Sequence, residues 1–419
     1  MSYSILVFFI FIIISLIAIK DRFKALIICL VLYPTLEMFK LSGSFPVWGV
    51  MNILIFLSLF VDKNTDLKRL PHKGLGLLWL FSNVFSALWG SYNTLGTIMG
   101  FIQYPLFIPL VWILYKPSKV NDMFVVKIVC VYLLVSVIYG AYEAFTFTKP
   151  FMNWLISMGF VIEHTGEDFA RLDLLRTSGL TPWGTYFAET CCCGYALINC
   201  FLNKKMSQKM RYCLLGISFI CVFGVVISMD RSAMVVFFIL AMGLNAQLLK
   251  NDFKLFLLVA FAAIVAYALY GNFIDEVIYT ITHSNSKDVA GSSWEMRLGQ
   301  MAAAWKFTED SLLFGKGTGA IAVAVSKVPA LLGGESLLYY VLINKGLFGV
   351  LVTFILFARV SYIYLKKKCL LIFLVFAALT LYNFVTLPIQ ELYALPFAVL
   401  LYKRYLYNSK DWQNYATKK

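Results

Sequence analysis

Residues 1–20 read MSYSILVFFIFIIISLIAIK, an apolar run that is long enough to cross a bilayer as one helix. No basic stretch precedes its apolar core and no small-residue cleavage site follows it, so we interpret it as a transmembrane helix rather than a removable signal peptide. The whole chain has the same character, since 61% of its 419 residues are hydrophobic and only 14% are charged. Such a composition excludes an ordinary soluble fold and indicates a polytopic membrane protein.

The remaining apolar runs extend this interpretation along the chain. They predict an all-α integral membrane protein with about 13 transmembrane helices, within a range of roughly 12–14, in which residues 1–419 form a single polytopic domain. The predicted spans lie near residues 3–19, 25–38, 46–61, 74–90, 95–115, 121–143, 183–203, 213–228, 233–249, 255–271, 346–364, 369–387 and 390–402.

The distribution of lysine and arginine predicts the orientation of these helices. About two thirds of the 36 basic residues lie in every second connection and in the C-terminal tail, which places those segments in the cytoplasm. Two long connections, 144–182 and 272–345, then lie outside, and each is expected to carry an amphipathic helix. The net charge of +14 follows mainly from this topology, with some attraction to anionic membrane lipids, and does not indicate nucleic-acid binding.

The larger outer segment contains the stretch SSWEMRLGQMAAAWKFTEDSLLFGKGTGA at 292–320. Ser292 and Glu295 have the spacing of a capping box, which predicts a helix start. Met296, Met301, Ala304, Trp305 and Leu312 follow at roughly helical spacing and predict an apolar stripe. Arg297 lies in the first turn, where a cation opposes the helix dipole, so a purely structural role for its charge is disfavoured.

Other eye-catching residues are better explained by packing. The run Cys191–Cys193 lies inside a predicted span and is most simply a small apolar filler between helices. The three histidines lack ligand spacing, and we predict neither a metal site nor a cofactor. The stretch GKGTG at 315–319 does not match a phosphate-binding loop, and its glycines are predicted to end the outer helix and to let the backbone pass close to another group.

Four arginines at the outer face are the strongest candidates for function. They are Arg171, Arg176, Arg231 and Arg297. Arg231 and its neighbour Asp230 lie in a hairpin between two apolar runs, where an ionisable group is costly and indicates function. A surface pair between these two neighbours, or an arginine that reaches lipid headgroups, explains the hairpin equally well. Several guanidinium groups around one cavity would suit bidentate binding of phosphates.

Four stretches resemble, in order, the signature regions of the bacterial O-antigen polymerase and O-antigen ligase family. They are RTSGLTPWGTYFAE at 176–189, SMDRSAM at 228–234, RLGQMAAAWKFTEDSLLFGKGTG at 297–319 and ESLLYYVLINKGLFGVLVTFI at 335–355. The resemblance covers roughly residues 171–365. It implies a metal-independent glycosyltransferase in the bacterial inner membrane, multi-pass, with its active site facing the periplasm and its C-terminus in the cytoplasm.

The resemblance also implies a reaction. Its substrates would be an undecaprenyl-diphosphate-linked glycan donor and an acceptor, and the diphosphate carrier would be the leaving group. Arg176, Arg231 and Arg297 match the family's outer arginines and are expected to bind the diphosphate, with Arg297 also taking part in catalysis. Arg171 and Tyr339 are expected to bind substrate, and a chain-length regulator protein is expected as a further partner.

Glu335 distinguishes the two activities of the family. Ligases, which transfer glycan to lipid A–core, typically carry a histidine where this chain has Glu335. Its carboxylate could act as general base on the acceptor hydroxyl, or could simply cap the helix that follows. The missing histidine favours the polymerase, with the ligase as the alternative.

Two other classes of protein remain open on the sequence. A lipid-linked oligosaccharide transporter would usually show paired halves and charges inside its spans, whereas this chain gathers its charges in two outer segments. A scaffold subunit of an export complex is the third alternative. The asymmetric distribution of charged residues along the chain favours an enzyme.

Overall fold

The structure is a computed structural model that describes residues 2–42, 45–60, 71–92, 103–160, 170–171, 174–201, 208–251, 275, 279, 294–331, 336–386 and 391–408. Sixteen α-helices lie within these ranges. The first eight are α1 (Tyr3–Lys20), α2 (Arg22–Val31), α3 (Tyr33–Leu36), α4 (Val47–Phe60), α5 (Lys73–Trp89), α6 (Phe107–Leu114), α7 (Lys119–Thr146) and α8 (Pro150–Ser157). The others are α9 (Gly184–Phe201), α10 (Gln208–Ile227), α11 (Arg231–Asn251), α12 (Trp294–Phe307), α13 (Ala320–Lys327), α14 (Leu337–Lys366), α15 (Leu370–Val385) and α16 (Ala394–Asn408).

Three described helices are long and apolar enough to cross a membrane by themselves, namely α1, α7 and α14. Four more, α4, α10, α11 and α15, contain shorter apolar stretches. The predicted span 255–271 lies outside the described residues, so the total of about 13 spans stays a prediction. The predicted span 25–38 is wrong as a single helix, because the chain bends at Leu32 between α2 and α3, with Pro34 in the first turn of α3.

The strands that the structure describes form two short antiparallel hairpins, which the sequence did not predict. The first pairs β1 (Lys40–Ser42) with β2 (Phe45–Pro46), and the second pairs β3 (Ala170–Arg171) with β4 (Leu174–Leu175). The second hairpin leads directly into residues 176–183, which precede α9. It therefore anchors one end of the segment that carries Arg176.

Helices α7, α9 and α10 pack against one another, and α9 and α11 pack on α15. Small residues permit the close approach, as is common between helices in membranes. A Cβ atom at Gly194 of α9 would fall 2.4 Å from Leu133 of α7, and one at Gly224 of α10 would fall 2.7 Å from the sulfur of Cys191. The cysteines at 191–193 are fully buried in this contact, in agreement with a packing role.

Helix α12 corresponds to the predicted outer helix, but its buried face differs from the predicted stripe. Gln300 and Ala304 are buried, whereas Met296 and Trp305 are exposed. Leu312 lies beyond the helix, which ends at Phe307 and is followed by a short 3-10 turn. The stripe is confirmed in part, because Met301, Ala304 and Leu312 all pack in one apolar cluster with Tyr339 of α14. The side chains of the predicted capping box lie outside the described residues.

Candidate functional site

The hairpin between α10 and α11 forms the centre of the site. Met229 has a left-handed φ of 53°, which turns the chain sharply between the two helices. Asp230 follows and caps α11, since its Oδ1 accepts a hydrogen bond of 3.1 Å from the backbone N–H of Ala233. The hairpin thus holds one carboxylate at a helix N-terminus, with Arg231 as the first residue of α11.

Asp230 pairs with an arginine from a different segment. Nη2 of Arg176 lies 3.4 Å from Oδ2 of Asp230, and the hydroxyl of Tyr382 in α15 lies 2.9 Å from the same oxygen. The sequence offered Arg231 as the partner of Asp230, but the structure joins Asp230 to Arg176. We call Arg176, Asp230, Arg231 and Tyr382 the Arg176 site.

The Arg176 site is open on one side. The side chain of Arg176 is 23% exposed, whereas that of Asp230 is only 5% exposed. The Nε atom of Arg176 is buried and has no hydrogen-bond partner among the residues that the structure describes. A buried donor without a partner is unfavourable, so an anion bound at this guanidinium would stabilise it.

Two helices begin beside Arg176. A Cβ atom at Gly184, the first residue of α9, would lie 3.1 Å from Nε of Arg176, so the guanidinium stem packs directly on this helix start. Helix α11 begins next to Asp230, the partner of Arg176. Helix N-termini favour negative charge, so both helices add to the attraction that the arginine exerts on an anion.

The other predicted site residues are placed as follows. Arg231 and Arg297 are partly exposed, the first at the start of α11 and the second on α12. Tyr339 is buried in α14, in a small apolar cluster that also contains Ala304 of α12. For Arg171 the structure describes only its strand pairing with Leu174, and Glu335 lies outside the described residues. The structure therefore brings Arg176 next to the Asp230–Arg231 hairpin, and it sets Arg297 and Tyr339 on a second pair of elements that pack together.

A buried ion pair joins Lys345 of α14 to Glu391, which precedes α16. Lys345 is bound to Glu391, which also accepts a hydrogen bond of 3.1 Å from the indole nitrogen of Trp79 in α5. The ammonium group lies 4.7 Å from the centre of the Trp79 ring. We call Lys345, Glu391 and Trp79 the Lys345 site. The sequence had placed Lys345 in the outer connection, but its side chain is only 1% exposed.

The glycine-rich segment meets α14 beside the Lys345 site. Helix α14 is interrupted at Gly346, whose φ is 67°, and Gly315 has a φ of 73°. A Cβ atom at either glycine would fall 2.5 Å from the backbone of the other segment. The N–H groups of Lys316 and Gly317 donate to the carbonyls of α14 that the interruption leaves unbonded. Close backbone approach was predicted here, but the glycines do not end the outer helix, which stops earlier at Phe307.

Several charged residues escaped the sequence analysis because their partners are distant in the chain. Near the two sites, Glu143 in α7 binds the turn after Arg176, and Lys345 pairs with Glu391. The sequence does carry a signal for Glu143 and Lys345, since a charged residue within an apolar helix is costly and points to a partner or a function.

The comparisons with known proteins agree with the resemblance noted in the sequence. The sequence pattern of the Wzy_C family, described as O-antigen ligase, matches residues 216–341. This region includes Arg231 and Arg297, whereas Arg176 precedes it. No curated protein matches the chain with significance. Residues 216–341 of this chain are therefore similar to the Wzy_C domain, which occurs in O-antigen ligases and polymerases.

Proposed function

We propose that the protein polymerises undecaprenyl-diphosphate-linked oligosaccharide units at the periplasmic face of the bacterial inner membrane. The observation that carries this proposal is the Arg176 site, in which a partly exposed guanidinium is held by a buried carboxylate next to a second arginine. In the reaction, the growing glycan leaves its diphosphate carrier and is transferred to a hydroxyl of a new lipid-linked unit. The membrane domain would span residues 1–419, with outer segments at 144–182 and 272–345.

The chemistry requires stabilisation of the departing diphosphate. As the bond from the sugar to the diphosphate breaks, negative charge grows on the leaving oxygen, and fixed cationic donors lower the barrier. Arg176 is held in place by Asp230 before substrate arrives, so little reorganisation is needed. Arg231 adds a second positive charge, and Arg297 would approach from the outer segment. Arg171 would contact the sugar portions of the substrates, whereas the expected contact from Tyr339 is not proposed, because its side chain is only 1% exposed.

The acceptor hydroxyl must also lose a proton. Glu335 is the group proposed for this step, since it lies one residue before the cap of α14 formed by Ser336. Glu335→Gln should preserve binding of the donor while polymer formation collapses. Normal polymer from this variant would overturn the role of Glu335 as base, and the alternative role as helix cap is already filled by Ser336.

The second candidate activity is the ligase, after which the matching family is named. The two activities differ only in the acceptor, which is a lipid-linked unit for the polymerase and lipid A–core for the ligase. Incubating the purified protein with a lipid-linked repeat unit, with and without lipid A–core, separates them. A ladder of glycan on the carrier alone supports the polymerase, whereas transfer only when lipid A–core is added supports the ligase.

The same assay tests the enzyme class and the metal-independent mechanism. Arg176→Ala, Arg231→Ala and Arg297→Ala should each reduce product, and the reaction should proceed with EDTA present. If the protein moves the lipid-linked unit across vesicle membranes and forms no polymer or ligated glycan, the transporter is supported instead. Loss of activity in EDTA that a divalent cation restores would overturn the metal-independent mechanism.

A further inference from the structure

The carboxylate of Glu143 is an unusual feature of α7. This residue is 1% exposed near the end of an apolar helix that is long enough to cross the membrane. Placing a charge there is costly unless its oxygens are bound by donors. An ionisable group in such a place is by default a functional hypothesis.

The partners of Glu143 are the backbone groups just after Arg176. The N–H groups of Ser178 and Gly179 both donate to Oε2 of Glu143 at 2.9 Å. Gly179 has a φ of 53°, so two consecutive N–H groups converge on one anion. Ser178 is itself buried, and its hydroxyl lies 3.5 Å from each carboxylate oxygen.

Further bonds fix the same turn to neighbouring helices. The hydroxyl of Thr177 donates to the carbonyl of Ile227 at the end of α10, at 3.1 Å. The N–H of Leu180 donates to the hydroxyl of Ser136 in α7, at 3.2 Å. Glu143 is the carboxyl group of this set, and one of its oxygens accepts two backbone hydrogen bonds. Glu143 therefore helps to set the direction in which the chain leaves Arg176.

We propose that Glu143 is a positioning residue, which holds the turn at 177–179 so that the Arg176 guanidinium faces the carrier diphosphate. The inference rests on the proposed function. Glu143 is bound to backbone groups and does not contact substrate. It acts by fixing the backbone on the C-terminal side of Arg176, while Asp230 holds the guanidinium at the other end.

The test is a double-mutant cycle on ligand binding. The Kd for undecaprenyl diphosphate is measured by titration of the detergent-solubilised full-length protein, for Glu143→Ala with and without Arg176→Ala. Loss of a well-placed charged hydrogen bond should raise the Kd roughly tenfold for Glu143→Ala alone. In the Arg176→Ala background, the same substitution should change the Kd less than about twofold, because coupled residues are not additive.

Asp122→Asn supplies the matched control. Asp122 is a carboxylate in the first turn of the same helix, roughly 30 Å along the helix axis from Glu143, and it pairs with Arg404 and Tyr115. The Asp122→Asn substitution should leave the Kd for undecaprenyl diphosphate unchanged, both with Arg176 and in the Arg176→Ala background. If Glu143→Ala does not accumulate as folded protein, Glu143→Gln replaces it. The neutral carbonyl of the glutamine can still accept the two N–H groups. We therefore expect a smaller rise in Kd, which again depends on the presence of Arg176.

The outcomes separate this inference from the proposed function. If the unmodified protein does not bind undecaprenyl diphosphate, the proposed function fails. If it binds, and Glu143→Ala raises the Kd equally in both backgrounds, Glu143 supports only the fold and the positioning role is overturned. An unchanged Kd in Glu143→Ala, or in Glu143→Gln when that variant replaces it, overturns the positioning role as well.

Discussion

The Arg176 site and the Lys345 site each join a cation to a buried carboxylate, yet they differ in exposure. The side chain of Arg176 is 23% exposed, whereas that of Lys345 is 1% exposed and is covered by the ring of Trp79. Both carboxylates are 5% exposed. In the proposed function the first pair would present its cation to a ligand, whereas the second pair keeps its charge inside the protein. The partial exposure of the Arg176 side chain is the difference on which that proposal rests.

The largest effect is expected from breaking the enclosed pair. Lys345→Met leaves Glu391 as a buried charge without its cation, which should destabilise the protein by about 3–5 kcal/mol. Replacing both residues, as Lys345→Met with Glu391→Leu, should recover most of the loss. Thermal unfolding of the detergent-solubilised variants measures both effects. Equal stability of the single and double variants would contradict an enclosed, mutually dependent pair.

Arg176 should show the opposite balance between activity and stability. Arg176→Ala should lose about 2–4 kcal/mol of transition-state stabilisation, while unfolding changes little because Asp230 keeps its bonds to Tyr382 and Ala233. Arg176→Lys should be nearly as inactive, since it lacks the planar fork that binds a phosphate at two points. Polymer yield at matched expression is the measurement. A full ladder from Arg176→Lys would rule out bidentate binding at this position.

The contact of the glycine-rich segment with α14 should have an intermediate effect. Gly346→Ala places a Cβ 2.5 Å from the backbone of Leu313 and Gly315 at a positive φ, so it should destabilise by about 1–3 kcal/mol. Gly299→Ala in α12 is the control, because its Cβ would meet nothing within 4 Å. That change should be neutral or stabilising by roughly 0.5–1 kcal/mol, since alanine favours helix. A tolerated alanine at 346 would show that the two segments do not hold each other.

The smallest effect is expected from a third pair, which is open to solvent. Nζ of Lys316 lies 2.9 Å from Asp310, and this hydrogen bond holds the pKa of the Asp310 carboxyl below its usual value. A lowered pKa in the folded state means that the pair stabilises the protein above the ordinary pKa of aspartate. This contribution is lost as the pH falls through the lower, folded value.

The measurement compares unfolding of the parent protein with that of Asp310→Asn. The parent should be slightly more stable at pH 7, and the difference should vanish under acidic conditions and shrink in high salt. Glu309→Gln, a change in the exposed neighbouring carboxylate, is the control. A difference that persists in acid would show that Asp310 stabilises by something other than its charge.

The sequence predicted the positions of the helices well but not which charged side chains pair with each other, and the reason is physical. Apolar runs report directly on burial in lipid, so α7 was expected at 121–143 and is found at Lys119–Thr146. The bonds that join Arg176 to Asp230 and Ser178 to Glu143 connect residues 54 and 35 positions apart, and they depend on how helices pack. Local pattern carries no information about that packing. The sequence therefore singled out Asp230 as a costly charge, but the only partner that it could offer was the neighbouring Arg231.

The proposed function depends most directly on where the carrier diphosphate binds. A structure of the protein determined with undecaprenyl diphosphate bound tests this point. We predict phosphate oxygens within about 2.7–2.9 Å of the Arg176 guanidinium, with Arg231 on the same anion and Lys345 still paired with Glu391. A diphosphate bound elsewhere, with Arg176 engaged only by Asp230, would contradict the account.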